Sequence, residues 1–85
     1  MNYKILPTAE FSKDFRKVDK HFQNKIKDKI EEVAQNPVRY KHLHYELSGS
    51  CRLWINKLRI IFSYDTNEKE LYLEKIIFGH KYKKS

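Results

Sequence analysis

The residues able to do chemistry fall in two places. Arg52 and Arg59 bracket Trp54 in one apolar stretch, and the closing run His80, Lys81, Tyr82, Lys83, Lys84 sets an imidazole, a phenol and ammonium groups side by side. A planar guanidinium stays charged and can grip a pair of phosphate oxygens. Imidazole titrates near neutral pH, so His80 can move protons under physiological conditions. Tyr82 shares the face of His80 if the strand continues, where its phenol could donate a proton or stack on a base. Arg52 and Lys81 would neutralise phosphate, with Lys83 and Lys84 extending the patch. Trp54 offers a flat surface to a nucleotide or to a protein partner. Each also has a plainer reading: a surface arginine on an open sheet face, a surface histidine, a rim tyrosine, a solvated charge run.

The remaining candidates point to less. His42 and His44 form an HxH pair without a convincing third ligand, so no metal is expected, and nothing suggests a small-molecule cofactor. Cys51 falls on the apolar parity of its strand and reads as a buried structural thiol. Glu46 and Glu74 are possible bases, with solvated surface as the alternative for each.

These groups must be positioned by an α+β domain of order βααβββ. Asn2 to Leu6 is a brief strand stopped by Pro7. Thr8 can cap a helix whose apolar residues Phe11, Phe15 and Val18 recur at spacings of four and three. Phe22, Ile26, Ile30 and Val33 then mark a second helix, ended by Asn36-Pro37. The short break between them predicts a helical hairpin laid on one face of a small, mostly antiparallel sheet. Residues 38 to 50 show no sustained period and read as a loop anchored by Leu43 and Leu47. From Cys51 the period becomes two: Cys51, Leu53 and Ile55, then Leu58, Ile60, Phe62 and Tyr64. A turn at Asn56-Lys57 would pair Ile55 with Leu58, Trp54 with Arg59 and Arg52 with Ile61, gathering the arginines and Trp54 opposite the core. Asp65 to Glu70 is a polar turn, and Leu71 to Phe78 a more fully apolar strand.

The sequence has 85 residues, enough for one domain spanning 1–85, with 18 Lys plus Arg against 11 Asp plus Glu and a formal charge of +7. Such a field favours nucleic acid, an acidic protein or an anionic membrane surface. A single cysteine cannot form an internal disulfide, and no signal-like or membrane-spanning apolar run occurs, so a cytoplasmic location and no membrane partner are expected.

The element order, together with LSGSCRLWINKLRIIFSY at 47–64 and the terminal GHKY, resembles the RelE/ParE toxin superfamily, in particular its RelE and YoeB branches. That resemblance implies a RelE-like fold and the toxin of a type II toxin–antitoxin system, bound by a cognate acidic, RelB-like antitoxin. In these branches it implies a ribosome-dependent mRNA endoribonuclease that inhibits translation; ParE relatives instead poison gyrase, and a catalytically inert member would only bind antitoxin. By position, Arg52 and Arg59 match basic strand residues of the family, and His80, Lys81 and Tyr82 fall where its terminal functional residues occur. The implied catalytic set is therefore Arg59, His80, Tyr82, Arg52 and Lys81, with Trp54, Lys83 and Lys84 binding RNA. Trp54 stands where some nuclease members carry a second basic residue, and Lys81 replaces a frequent arginine. The carboxylate that the YoeB branch places ahead of LSG falls here near Lys41, with Glu46 closer to the motif.

Overall fold

The computed structural model describes residues 2–40 and 50–79. Along them run β1 (Lys4–Pro7), α1 (Ala9–Phe15), α2 (Lys20–Gln35), a 3-10 turn (Pro37–Tyr40), β2 (Cys51–Ile55), β3 (Leu58–Asp65) and β4 (Glu70–Phe78). The strands form one sheet in the order β1-β4-β3-β2, with β1 parallel to β4 and the other neighbours antiparallel. This is the expected βααβββ arrangement, and the helices cover one face of the sheet.

Local chemistry sets the helix ends. Thr8 has extended backbone, and its Oγ1 accepts the Phe11 N–H at 3.1 Å, a cap that contributes about 1 kcal/mol. Helix α1 stops at Phe15, short of Val18, which is nevertheless buried in the turn that follows. There the Gln23 side-chain amide donates to Phe15 O at 2.9 Å and Val18 O at 3.0 Å, tying the corner to the start of α2. Helix α2 buries Ile26, Ile30, Val33 and Ala34 and ends ahead of Pro37 as the pre-proline restriction requires. Within the stretch read as loop, residues 37–40 make the 3-10 turn, while Leu43 and Leu47 lie outside the described residues.

Strand β1 is too short to cover β4. Their pairing runs to Pro7 and Leu73; the N–H groups of Lys4 and Thr8 are the ones turned to β4, so Pro7 sits where its missing N–H would face the outer edge. The rest of the β4 edge is completed by the chain entering α1 and by α1 itself. The Thr8 N–H donates to Leu73 O at 3.0 Å, Thr8 Oγ1 donates to Glu74 O at 2.8 Å, and Asp14 Oδ2 accepts the Ile76 N–H at 3.1 Å.

The β3–β4 ladder slips at this point. Phe62 opposes Leu73, whereas Ile61 opposes Lys75, so Glu74 is the extra residue of a β-bulge. The parity of β4 consequently changes: Leu71 and Leu73 join the core before the bulge, Ile76 and Phe78 after it. Phe62, Ile26, Leu58, Ile60, Leu71 and Cys51 are essentially solvent-free, which accords with the structural reading of that thiol. Among the described residues, no helix is long and apolar enough to cross a membrane.

Candidate functional site

The β2–β3 hairpin forms in the expected register: Ile55 opposes Leu58, Trp54 opposes Arg59 and Arg52 opposes Ile61. Asn56 takes the positive φ of 55° that the turn needs, and Lys57 does not, so a lysine at the second turn position is tolerated. Around a two-residue turn, Ile55 and Leu58 form the hydrogen-bonded pair. Trp54 and Arg59 are then the non-hydrogen-bonded pair, whose side chains approach more closely. The Arg59 guanidinium carbon accordingly lies 4.8 Å from the Trp54 ring centroid. A cation–π contact at a partly exposed site contributes about 0.5–1 kcal/mol.

Trp54 itself is 46% exposed, while Arg59 Nε is buried without a hydrogen-bond partner. No carboxylate among the described residues pairs with Arg59. A guanidinium shielded on one side and unneutralised interacts more strongly with an anion than one fully in water. One row along, Arg52 lies opposite Ile61, which is only 7% exposed although it faces away from the helices. The open face therefore has an apolar floor under a basic surface, to which β4 adds Lys75 opposite Ile61 and Ile77 opposite Arg59.

The other end of this face is acidic and internally satisfied. Asp65 Oδ1 accepts the N–H groups of Asn67 at 2.9 Å and Glu68 at 3.1 Å. The Tyr72 hydroxyl donates to Glu70 Oε1, and that bond pushes the phenol up to about 12. Between the two ends, the Ser50 hydroxyl donates to Glu74 Oε1 at 3.0 Å.

With this geometry in place, the chain can be set beside known proteins. It is 34% identical over 71 residues to a Methanocaldococcus jannaschii protein named RelE4, across 79% of this chain and 76% of that one. This chain belongs to the RelE/ParE toxin superfamily. No protein-family model matches it. Solved structures share the RelE fold. Isolated E. coli RelE superposes with a TM-score of 0.80 at 13% identity, over 95% of this chain and 88% of that chain. A chain of the Mycobacterium tuberculosis RelBE2 toxin–antitoxin complex gives 0.78 at 16% identity, over 92% and 99% respectively. The archaeal RelE–RelB complex from Pyrococcus horikoshii gives 0.75 at 14%, over 96% and 100%.

On this RelE-like frame, Arg52, Trp54 and Arg59 share one surface, as expected. His80, Lys81, Tyr82, Lys83 and Lys84 lie outside the described residues, as do His42, His44 and Glu46. What is described is the point from which the terminal segment departs. The Gly79 N–H donates to Lys57 O at 3.0 Å, and a Cβ built on Gly79 would stand 2.6 Å from that same oxygen. Only glycine lets the end of β4 sit this close to the hairpin turn. Gly79→Ala is expected to cost about 1–3 kcal/mol, on the order of 10 °C in Tm for a domain of this size. A thermal melt with an unchanged midpoint would show that the strand end relaxes freely.

A concavity lies on the helical side. Ile5, Phe11, Phe15, Ile30 and Leu73 line a groove of about 390 Å³ between the helices and the β1 edge. Among the described residues, no group of three or more His, Cys, Asp or Glu side chains is placed to hold a metal ion. The bulge at Glu74, a residue the sequence already offers as a possible base, was not expected. Its signal is the apolar spacing of β4, Leu71-x-Leu73-x-x-Ile76-x-Phe78, whose three-residue step marks a change of parity.

Proposed function

We propose that this chain is the toxin of a type II toxin–antitoxin pair and a ribosome-dependent mRNA endoribonuclease. It would act in the cytoplasm to inhibit translation and be held inactive by an acidic, RelB-like antitoxin. The observation that carries this reading is the Arg59 guanidinium, stacked on Trp54 over an apolar floor and facing no carboxylate among the described residues. Membership of the superfamily supports it, as does the +7 charge, which suits both an RNA substrate and an acidic partner.

In the proposed reaction the ribose 2′-hydroxyl attacks the adjacent phosphorus. Arg59 grips the phosphate as charge builds on its oxygens, and Arg52 and Lys81 add positive potential. Trp54 stacks against a nucleotide, and Lys83 and Lys84 extend the backbone contact. His80 or Tyr82 returns a proton to the departing 5′-oxygen. The cationic side chains do the work of charge stabilisation, so the reaction needs no metal ion.

Induction without the partner is the test. Translated messages should be cut in register with codons, before any DNA-damage response. The fragments should end in a cyclic phosphate and a free 5′-hydroxyl, and cleavage should persist in EDTA once ribosome integrity is controlled. Trp54, the exposed aromatic of this face, favours a second reading in which the surface binds gyrase as a ParE-like toxin. Intact messages beside accumulating gyrase-linked DNA breaks would establish that reading and overturn the first.

A further inference from the structure

We propose that Glu74 is the catalytic base of this site, the group that takes the proton from the ribose 2′-hydroxyl; the inference rests on the ribonuclease reading above.

The β-bulge puts Glu74 and Lys75 together on the open face. Because Ile61 opposes Lys75 and Phe62 opposes Leu73, Glu74 and Lys75 both stand against Ile61. In such a bulge the two residues facing one partner project to roughly the same side. Leu73 and Ile76 on either side are core residues, so that side is the open one. Glu74 thereby lies between the row holding Arg59 and Ile77 and the row holding Ser63 and Tyr72.

A contact across the sheet then fixes its direction. Ser50 immediately precedes β2, two strands away from β4 in the sheet order, yet its buried hydroxyl donates to Glu74 Oε1 at 3.0 Å. The carboxylate is therefore laid across β3 toward the strand carrying Arg52 instead of extending into water. Its backbone is held as well, since Glu74 O accepts the Thr8 hydroxyl at 2.8 Å. An ionised carboxylate has about four lone-pair sites, and a single serine donor leaves most of them available. The described residues place no donor on Oε2.

The other carboxylates nearby have different employment. Asp65 closes the β3–β4 turn, Glu70 accepts from Tyr72, and Asp14 of α1 accepts the Ile76 N–H. Around Glu74 stand Ser50 just ahead of β2, Arg52 on β2, Ser63 on β3, Lys75 and Tyr72 on its own strand, and Thr8, whose hydroxyl donates to its carbonyl, while Asp14 of α1 accepts the N–H of Ile76 two residues on. As O2′ bonds to phosphorus and the P–O5′ bond breaks, the 2′ proton passes to Glu74. The O5′ leaving group is protonated by His80, Tyr82 or water, leaving a 2′,3′-cyclic phosphate and a 5′-hydroxyl.

Single-turnover cleavage on message-programmed ribosomes tests this with Glu74→Gln, which keeps an acceptor for Ser50 and so preserves the fold. The expected result is a fall in kcat of about 10²-fold or more, with the acidic limb of the pH–rate profile lost and the thermal melt and ribosome affinity unchanged. Ser50→Ala, which keeps the carboxylate but releases it from β2, should lower kcat several-fold without changing KM. A folded Glu74→Gln protein that cleaves within about threefold of the wild type, or keeps the acidic limb, would overturn the assignment while leaving the ribonuclease reading intact. An unchanged kcat in Ser50→Ala would count against it in the same way. Wild-type protein that cleaves nothing on the ribosome removes the ribonuclease reading and Glu74 with it.

Discussion

Arg59→Ala is expected to abolish growth arrest on induction, with a fall in ribosome-dependent cleavage of about 10²–10³-fold and little change in the melt. The magnitude follows from what the side chain is placed to do. Its guanidinium lies 4.8 Å from the Trp54 ring centroid, has a shielded Nε, and meets no described carboxylate. An anion arriving there would meet a positive charge already oriented by its neighbour, at little further entropic cost. The fold should tolerate the loss, because the side chain is on the face opposite the helices and its described partner is an exposed tryptophan. Arg59→Lys gives an informative intermediate: the charge remains, but the planar fork and its stacking are lost. A folded Arg59→Ala protein that still arrests growth fully would show that the open sheet face is not the active surface.

Phe62→Ala should have the largest effect on stability, about 3–5 kcal/mol in a chemical-denaturation experiment. Phe62 is solvent-free, opposes Cys51 on β2 and Leu73 on β4, and meets the Tyr40 ring edge-on at a centroid distance of 6.5 Å. Domains of this size have a net stability of roughly 4–13 kcal/mol, so one such cavity removes a large share of it. Phe62 also adjoins the bulge, and its place in the core helps to hold the register that puts Glu74 and Lys75 together on the open face. Partly folded Phe62→Ala protein should therefore lose cleavage more steeply than its folded fraction predicts. A loss below about 1 kcal/mol would mean that the helices close over the vacancy.

The hairpin and the helices were legible residue by residue because their signals are local. Period-two apolar spacing from Cys51 to Tyr64, with a two-residue turn, leaves one register that puts Leu58, Ile60 and Phe62 inside, and Arg52, Trp54 and Arg59 follow to the other face. Thr8 and Pro37 mark helix boundaries through a side-chain acceptor and a steric restriction, neither of which needs tertiary information. The charge balance, too, is a property of composition alone. Other features depend on groups far apart in the chain. The parallel pairing of β1 with β4 joins the two ends of the fold and has no local code, since either edge could have received the short strand. Ile61 alternates as an open-face residue, and its burial arises only when neighbouring strands bring their side chains over it. Glu74 depends most on tertiary structure. Alternation from Leu71 and Leu73 gives its side, but its direction comes from a serine 24 positions earlier, and the side of Lys75 that follows it comes from the bulge. A bulge shifts every following residue of β4 by one, and that shift becomes energetically necessary only when Leu73 and Ile76 must both meet the same core.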